Sequence, residues 1–267
     1  MHNRHQFPSR FVQIGQFLQR KQAARGLALG LASLGFRRGD KIAVIGDNRP
    51  QLYWTMVAAQ ALGGVPVPLY QDSIEKEMQF IVDHAEARFA VVEDQEQVDK
   101  LLHIKEQCPH LEYIIYDDPR GLRHYTQPFL VSFERLQELG RNFALENPTY
   151  LESEIAKGRA DDVAVICYTS GTTGTPKAAV HCHRTLLNSH HYAKDVLAIC
   201  PEDRVFATSK LFFGYALGNA LALPLAAGCR FDEDACALGQ SGLAVDVLRR
   251  VAFAEIDAEG EIARLRT

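Results

Sequence analysis

The chain has 267 residues, and its 29 Lys and Arg against 33 Asp and Glu give a formal net charge of −4. This balance argues against an electrostatic nucleic-acid binder, which requires a surplus of basic residues. Hydrophobic residues are 47% and charged residues 23% of the chain, as in globular proteins. No apolar run approaches the roughly 18 residues that span a bilayer. The six cysteines form no C-x-x-C pair, so we expect a reducing compartment, the cytoplasm.

The first 39 residues are basic and contain no acidic residue before Asp40. Phe11, Ile14, Phe17 and Leu18 recur at helical spacing, which favours a basic first helix of the fold. An Arg-rich start without acidic residues is also typical of organelle transit peptides. Both interpretations remain open from the sequence.

Helical and extended patterns then alternate as far as residue 118. The predicted helices are 23–34, 53–62, 74–85 and 96–107, and the predicted strands are 41–46, 65–70, 89–93 and 113–118. Strands separated by single helices form parallel βαβ units, so we predict an α/β fold with a doubly wound, mostly parallel sheet and flanking helices. The mixed stretch 119–162 is interpreted as a surface excursion, after which residues 163–168 form another buried strand.

That strand runs directly into T-S-G-T-T-G-T-P-K, residues Thr169 to Lys177. Two glycines permit close backbone approach, and five hydroxyl side chains with one lysine supply donors and positive charge, a combination that suits a polyphosphate. The predicted phosphate ligands are Thr169, Ser170, Gly171, Thr172, Thr173, Gly174, Thr175 and Lys177. The loop is not a Walker A motif, because Pro176 and Ala178 flank the lysine.

The segment from Ile166 to Lys177 resembles the phosphate-loop signature of the adenylate-forming enzymes, which include acyl-CoA synthetases. Gly39 to Ser73 resembles the first βαβ unit of acyl-CoA synthetases. Residues 84–101 and 114–125 resemble the bacterial long-chain fatty acyl-CoA ligases, and Glu202 to Gly228 is similar to benzoate-type aryl-CoA ligases. The resemblance implies an ATP-dependent, AMP-forming acid–CoA ligase that activates a fatty or aryl acid through an acyl-adenylate. It implies ATP, Mg²⁺ and coenzyme A as cofactors and co-substrates.

Residue roles follow from the same resemblance. Thr172 and Lys177 would be catalytic by holding the phosphates and the departing pyrophosphate. His183 matches a histidine that follows the loop in many acyl-CoA synthetases. Gly214 and Tyr215 match positions that line the acyl pocket of aryl-CoA ligases, so these three residues are expected to bind the acid substrate.

The resemblance covers roughly residues 23–228, which leaves a basic segment at 1–22 and an unassigned tail at 229–267. The family's later Mg²⁺, adenine and ribose motifs and its C-terminal lid domain are not found in this sequence. The alternatives are therefore a catalytically inactive nucleotide- or acyl-binding fragment, or a subunit whose second half is supplied by another chain. The tail itself predicts a helix at 243–251 and a hairpin at 253–265.

Other polar clusters are interpreted without a metal. The histidines and cysteines between His181 and Cys200 match no standard zinc-finger spacing, so no metal site is assigned. Cys167 is predicted to be a small core residue, and Asp161 and Asp162 to be solvated charges.

Overall fold

The computed structural model describes residues 22–169, 175–205, 209–210, 212–228 and 230–231. The chain divides into two compact units, residues 1–185 and residues 186–267. The first unit is built on a five-stranded sheet in the order β2-β1-β3-β4-β5, in which every neighbouring pair is parallel. Its strands are β1 (Lys41–Ile45), β2 (Val65–Leu69), β3 (Ala87–Val92), β4 (Tyr113–Tyr116) and β5 (Leu130–Ser132). The predicted α/β class is confirmed.

Six helices accompany these strands in the first unit's described residues. They are α1 (Gln22–Ser33), α2 (Pro50–Ala61), α3 (Glu75–His84), α4 (Gln95–Ile104, followed by a 3₁₀ turn at Lys105–Gln107), α5 (Phe133–Glu146) and α6 (Tyr150–Ala156). Helix α1 ends before Gly35, whose φ of 87° is the left-handed conformation that commonly terminates a helix. Helix α2 begins at Pro50, because proline lacks only a backbone N–H that has no intrahelical partner in the first turn.

Both faces of the sheet are buried, as a doubly wound fold requires. Ala43 and Ile45 of β1 pack in one cluster with Met78 of α3 and Leu101 of α4. Alternate residues of the same strand point to the other face, where Ile42 and Val44 are also buried. Helix α2 contacts β1 on that side, and α1 packs on α2 and α5. Helices therefore cover the sheet on both sides.

The stretch 119–162 differs from its interpretation as a surface excursion. It contains β5, the fifth strand of the sheet, and the helices α5 and α6. Helix α5 buries Phe133, Leu136 and Gly140 and packs along α1. The amphipathic period of α5 is real, but a glycine occupies its closest contact, so the apolar stripe is incomplete in the sequence.

A separate antiparallel pair follows, formed by β6 (Val163–Thr169) and β7 (Lys177–Cys182). Helix α7 (His183–His191) begins directly after β7. Strand β6 lies beside β2, and the carbonyl of Ala164 accepts a buried hydrogen bond of 2.7 Å from Gln60 Nε2 on α2. Within the first unit, these contacts attach the hairpin to strand β2 and helix α2.

In the second unit, a π-helical turn (Tyr192–Val196) continues from α7. Strands β8 (Arg204–Val205) and β9 (Arg230–Phe231) pair in parallel. A helical segment runs from α8 (Gly214–Ala216) through a π-helical stretch (Leu217–Ala222) to α9 (Leu223–Ala227). The second unit has a small buried cluster, formed by Ala193, Leu223 and Ala227. Within the described residues, no helix has both the length and the apolar character that a membrane span requires.

The predictions for the N-terminal segment 1–22 and for the tail 229–267 fall almost entirely outside the described residues. Only Gln22 of the first segment, and residues 230–231 of the second, are described. The basic first helix, the transit peptide, the helix at 243–251 and the hairpin at 253–265 therefore stay predictions.

Candidate functional site

The hydroxyl- and glycine-rich motif closes the β6–β7 hairpin. In the antiparallel register Thr169 lies opposite Lys177, and Tyr168 lies opposite Ala178. The first and last residues of the motif are thus direct cross-strand neighbours, whose Cα atoms are typically about 4.5–5.5 Å apart. The sequence predicted the strand that enters the loop at 163–168, and the structure shows that β7 leaves the loop and pairs with that strand.

The described ends of the loop are open to solvent. The side chains of Thr169, Thr175 and Lys177 are all exposed. A hydroxyl at the entry and an ammonium group at the exit are therefore available to an anion, with the ammonium acting as a point charge. The remaining predicted phosphate ligands, Ser170, Gly171, Thr172, Thr173 and Gly174, lie outside the described residues.

The strand that leads into the loop is held by its side chains. Tyr168 is half-buried against the cluster between the sheet and helices α3 and α4, and its hydroxyl hydrogen-bonds His84 Nδ1 at 2.7 Å. Burial raises the pKa of the Tyr168 phenol, so it is neutral at physiological pH. Cys167 on the opposite face is 7% exposed, and burial raises its thiol pKa to about 11. Cys167 is therefore a protonated core residue, not a nucleophile.

The start of the hairpin is fixed by two ion pairs. Asp161 receives two hydrogen bonds, of 2.9 and 3.0 Å, from Arg184 at the start of α7. Asp162 pairs with Arg38 Nη1 at 3.1 Å, and Arg38 also donates to the Glu154 carbonyl at 2.8 Å. The two aspartates, expected to be solvated charges, are thus exposed or half-buried partners of arginines. They tie the hairpin to the segment before β1 and to α7.

The three predicted substrate contacts lie in different surroundings. His183 is 1% exposed, and its backbone N–H donates to the Asp162 carbonyl at 3.0 Å. In the second unit, Tyr215 is 67% exposed, and a Cβ on Gly214 would meet no atom within 4 Å. Gly214 is exposed, so the space around it is open to solvent. The substrate roles of all three residues stay predictions.

The sheet offers a second place for a ligand, because doubly wound folds bind ligands beyond the carboxyl ends of the strands where the strand order reverses. Here that point lies between β1 and β3. The Glu93 carboxylate accepts from Asp47 N at 2.6 Å and from Arg49 Nε at 2.7 Å. A Cβ on Gly46 would lie 2.6 Å from Glu93 Cβ, so the Glu93 side chain fills the space beside Gly46. The switch point is occupied by the protein's own ion pair, which leaves the hairpin loop as the candidate site.

No three His, Cys, Asp or Glu side chains come together as a metal site in the part of the chain that the structure describes. His181 lies on β7, whereas His191, at the end of α7, pairs through Nδ1 with Asp195 Oδ2 at 3.1 Å.

Sequence reasoning missed His84 and Arg38 as supports of the hairpin. Their partners, Tyr168 and Asp162, are 84 and 124 residues away along the chain, so no local pattern marks these contacts.

Comparison with known families gives a match to the model described as "AMP-binding enzyme" over residues 16–232. Among curated proteins, the 3-hydroxybenzoate–CoA/4-hydroxybenzoate–CoA ligase of Thauera aromatica is 29% identical over 192 residues, which are 72% of this chain and 34% of that protein. A long-chain-fatty-acid–CoA ligase of Rattus norvegicus is 32% identical over 158 residues, 59% of this chain and 21% of that ligase. The chain therefore spans about a third or less of these relatives.

Solved structures give the same architecture. An anthranilate CoA ligase solved with anthranoyl-AMP superposes with a TM-score of 0.69 at 23% identity, over 84% of this chain and 44% of that one. A benzoate CoA ligase from Burkholderia xenovorans gives a TM-score of 0.61 at 26% identity, over 79% of this chain and 38% of that one. The fold is the one found in the N-terminal part of acyl- and aryl-CoA ligases.

Proposed function

Since this chain belongs to the AMP-binding enzyme family, we propose that it is the ATP-binding part of an AMP-forming acid–CoA ligase. In the proposed reaction, the carboxylate of the acid attacks the α-phosphate of ATP, the bond to the β-phosphate breaks, and acyl-adenylate and pyrophosphate are formed. The acyl group then passes to the thiol of coenzyme A, and AMP is released.

One observation carries the proposal: the hairpin register that sets Thr169 opposite Lys177. Pyrophosphate accumulates negative charge as it leaves, and a fixed ammonium group with hydroxyl donors stabilises that charge in the transition state. Exposure of both side chains supports contact with a ligand. We assign the β- and γ-phosphates of ATP to the loop from Thr169 to Lys177, with Thr172 and Lys177 as the residues in contact with the departing group.

The proposed acid substrate is an aryl or a fatty acid. Relatives named as hydroxybenzoate–CoA ligases and as long-chain-fatty-acid–CoA ligases support an aryl and a fatty acid equally. We assign His183, Gly214 and Tyr215 to this substrate. The assignment rests on the resemblance described above, and Gly214 and Tyr215 are both exposed.

Mg²⁺ is the metal that such a reaction calls for. The described residues bring no carboxylate cluster together that would hold this ion. Because they do not form a site for it, no step is assigned to the metal through the described residues.

The chain covers 34% or less of the ligases described above, so the activity of a whole ligase is a proposal. The alternative is a module that binds nucleotide or acyl groups without catalysis, or a subunit completed by a second chain.

The test is carboxylate-dependent exchange of labelled pyrophosphate into ATP, with octanoate, palmitate and benzoate as the acids. Equilibrium binding of labelled ATP and of pyrophosphate is measured on the same full chain. Lys177→Ala is compared with Lys76→Ala, which removes an equal charge from an exposed position near the start of α3. Circular dichroism confirms that each variant is folded.

Exchange that Lys177→Ala abolishes and Lys76→Ala retains supports the ligase, and the acid that responds names the substrate class. Binding that depends on Lys177, without exchange, favours the non-catalytic module or the incomplete subunit. A folded chain that binds neither ATP nor pyrophosphate refutes the ligase and the nucleotide-binding module.

A further inference from the structure

The β6–β7 hairpin has little backbone attachment to the five-stranded sheet. Strand β6 lies beside β2, yet the described residues place the two strands in separate sheets. The sequence of β2, V-P-V-P-L, explains this separation. Val65 N donates at 2.8 Å to Asp40 O, towards β1, so the alternate residues Pro66 and Pro68 face the outer edge, where neither has an N–H to donate.

Hydrogen bonds from side chains therefore take the place of the backbone hydrogen bonds that would otherwise join β6 to the sheet. At the start of β6, Gln60 Nε2 donates to Ala164 O at 2.7 Å. At its end, the Tyr168 hydroxyl meets His84 Nδ1, also at 2.7 Å. An isolated two-stranded pair is marginally stable in water, so these contacts add to the burial of Ala164, Val165 and Cys167 in holding the strand.

The imidazole of His84 is itself fixed from two sides. Phe80 precedes it by four residues on α3, and the two rings stack with centroids 5.3 Å apart and planes at 21°. Tyr168 meets the imidazole edge-on, with centroids 5.8 Å apart and planes at 86°. Although His84 is at the surface, its ring has a defined position, and the phenol hydrogen bond acts on a rigid partner.

Tyr168 immediately precedes Thr169, and its cross-strand neighbour Ala178 immediately follows Lys177. We infer that the Tyr168–His84 pair is a positioning device that fixes the root of the phosphate loop, so that Thr169 and Lys177 are held ready for pyrophosphate. Neither residue contacts the ligand. The inference rests on the proposed function for its ligand, while the anchoring itself is a property of the free protein.

The experiment uses the full chain and the variants Tyr168→Phe, His84→Ala and the double variant. Tyr125→Phe is the matched control, because it removes a tyrosine hydroxyl that hydrogen-bonds Asp99 on α4 instead. The first measurement is amide hydrogen exchange of the free protein, resolved along β6 and β7. The second is the dissociation constant for labelled pyrophosphate and for ATP, with the melting temperature recorded for each protein.

Exchange at Thr169 and Lys177 is expected to accelerate about three- to tenfold in each single variant, the equivalent of one net neutral hydrogen bond. The ends at Val163 and Cys182 should not change. Pyrophosphate binding should weaken by a similar factor, and Tyr168→Phe should add nothing in the His84→Ala background. A purely structural role would lower the melting temperature and leave pyrophosphate affinity of the folded protein unchanged.

Unchanged exchange at the loop root overturns the inference, whatever the protein binds. Accelerated exchange with unaltered pyrophosphate affinity also overturns it, since the anchor then positions nothing. If the wild-type chain binds no pyrophosphate, the proposed function fails and the ligand part of the inference fails with it. The exchange data then still decide whether the pair anchors the strand.

Discussion

Helices α1 and α5 touch through glycines, and this contact gives a sharp prediction about stability. A Cβ on Gly140 of α5 would lie 1.9 Å from the carbonyl oxygen of Gly26 and 2.7 Å from the amide nitrogen of Gly30, both on α1. A Cβ on Gly30 would lie 2.2 Å from the carbonyl oxygen of Leu136. These obstacles are backbone atoms, which cannot rotate away as a side chain does. We therefore predict that Gly140→Ala destabilises the first unit.

The magnitude follows from the distances. Ordinary van der Waals contact begins at 3.4 Å, so the contact of 1.9 Å requires the helices to separate by about 1.5 Å. Separation loosens Leu27, Leu31 and Leu136, each fully buried. Overpacking costs about 1–3 kcal/mol or more, and a rigid backbone obstacle favours at least the upper end of that range. The higher helix propensity of alanine offsets up to about 1 kcal/mol of this cost. The free energy of unfolding should therefore fall by about 2 kcal/mol or more.

Urea unfolding followed by circular dichroism measures this loss, and the midpoint of thermal unfolding should fall by roughly 4–8 °C. Gly26→Ala is the matched control within the same pair of helices. Its Cβ would meet only Gln137 O, at 3.9 Å, so the variant should be neutral or more stable by up to about 1 kcal/mol. Equal stability of Gly140→Ala and the wild type would refute the backbone-contact argument.

Two further predictions concern charge and thiol reactivity. Arg88 hydrogen-bonds Glu112 and Asp40, and the bond to Glu112 lowers the pKa of that carboxyl. Arg88→Met should cost about 2 kcal/mol in urea unfolding, because it leaves the largely buried Asp40 without this partner. The stabilisation by ionised Glu112 is complete above its unfolded pKa of about 4.3 and is lost as the pH falls through the lower folded value. Arg88→Met should therefore flatten the pH dependence of the free energy of unfolding below about pH 4.3. An unchanged profile would show that the Arg88–Glu112 pair does not cause this dependence. At neutral pH, iodoacetamide should alkylate Cys182 before Cys167: hydrogen bonding with Thr185 lowers the Cys182 pKa, whereas burial raises that of Cys167 to about 11. Mass spectrometry of the modified peptides checks the order, and faster labelling of Cys167 would contradict it.

Sequence patterns predicted the elements whose signal is local. The alternation of strands and helices from residue 23 to residue 118 was confirmed with shifts of a few residues at the ends. The start of α2 was predicted at residue 53, three residues too late, because the helix begins at Pro50, which occupies its first turn. Most side chains of α2 are buried, so no polar face marks its extent.

Helix α5 was missed for a different physical reason. Its contact with α1 depends on the absence of side chains at Gly140 and Gly30. In the sequence, Gly140 interrupts the apolar stripe of α5, and glycine is unfavourable in an isolated helix. In the folded protein the same residue permits two helices to approach closely, and that gain is visible only when both helices are present.

The sequence by itself determined the α/β class and predicted the residues of a phosphate loop, because hydrophobic period and residue chemistry are properties of neighbouring positions. The tertiary structure decided the strand order β2-β1-β3-β4-β5 and the hairpin register that sets Thr169 opposite Lys177. It also decided the contact between His84 and Tyr168. Such contacts join residues that are distant along the chain, and their formation depends on how the whole sheet and its helices pack.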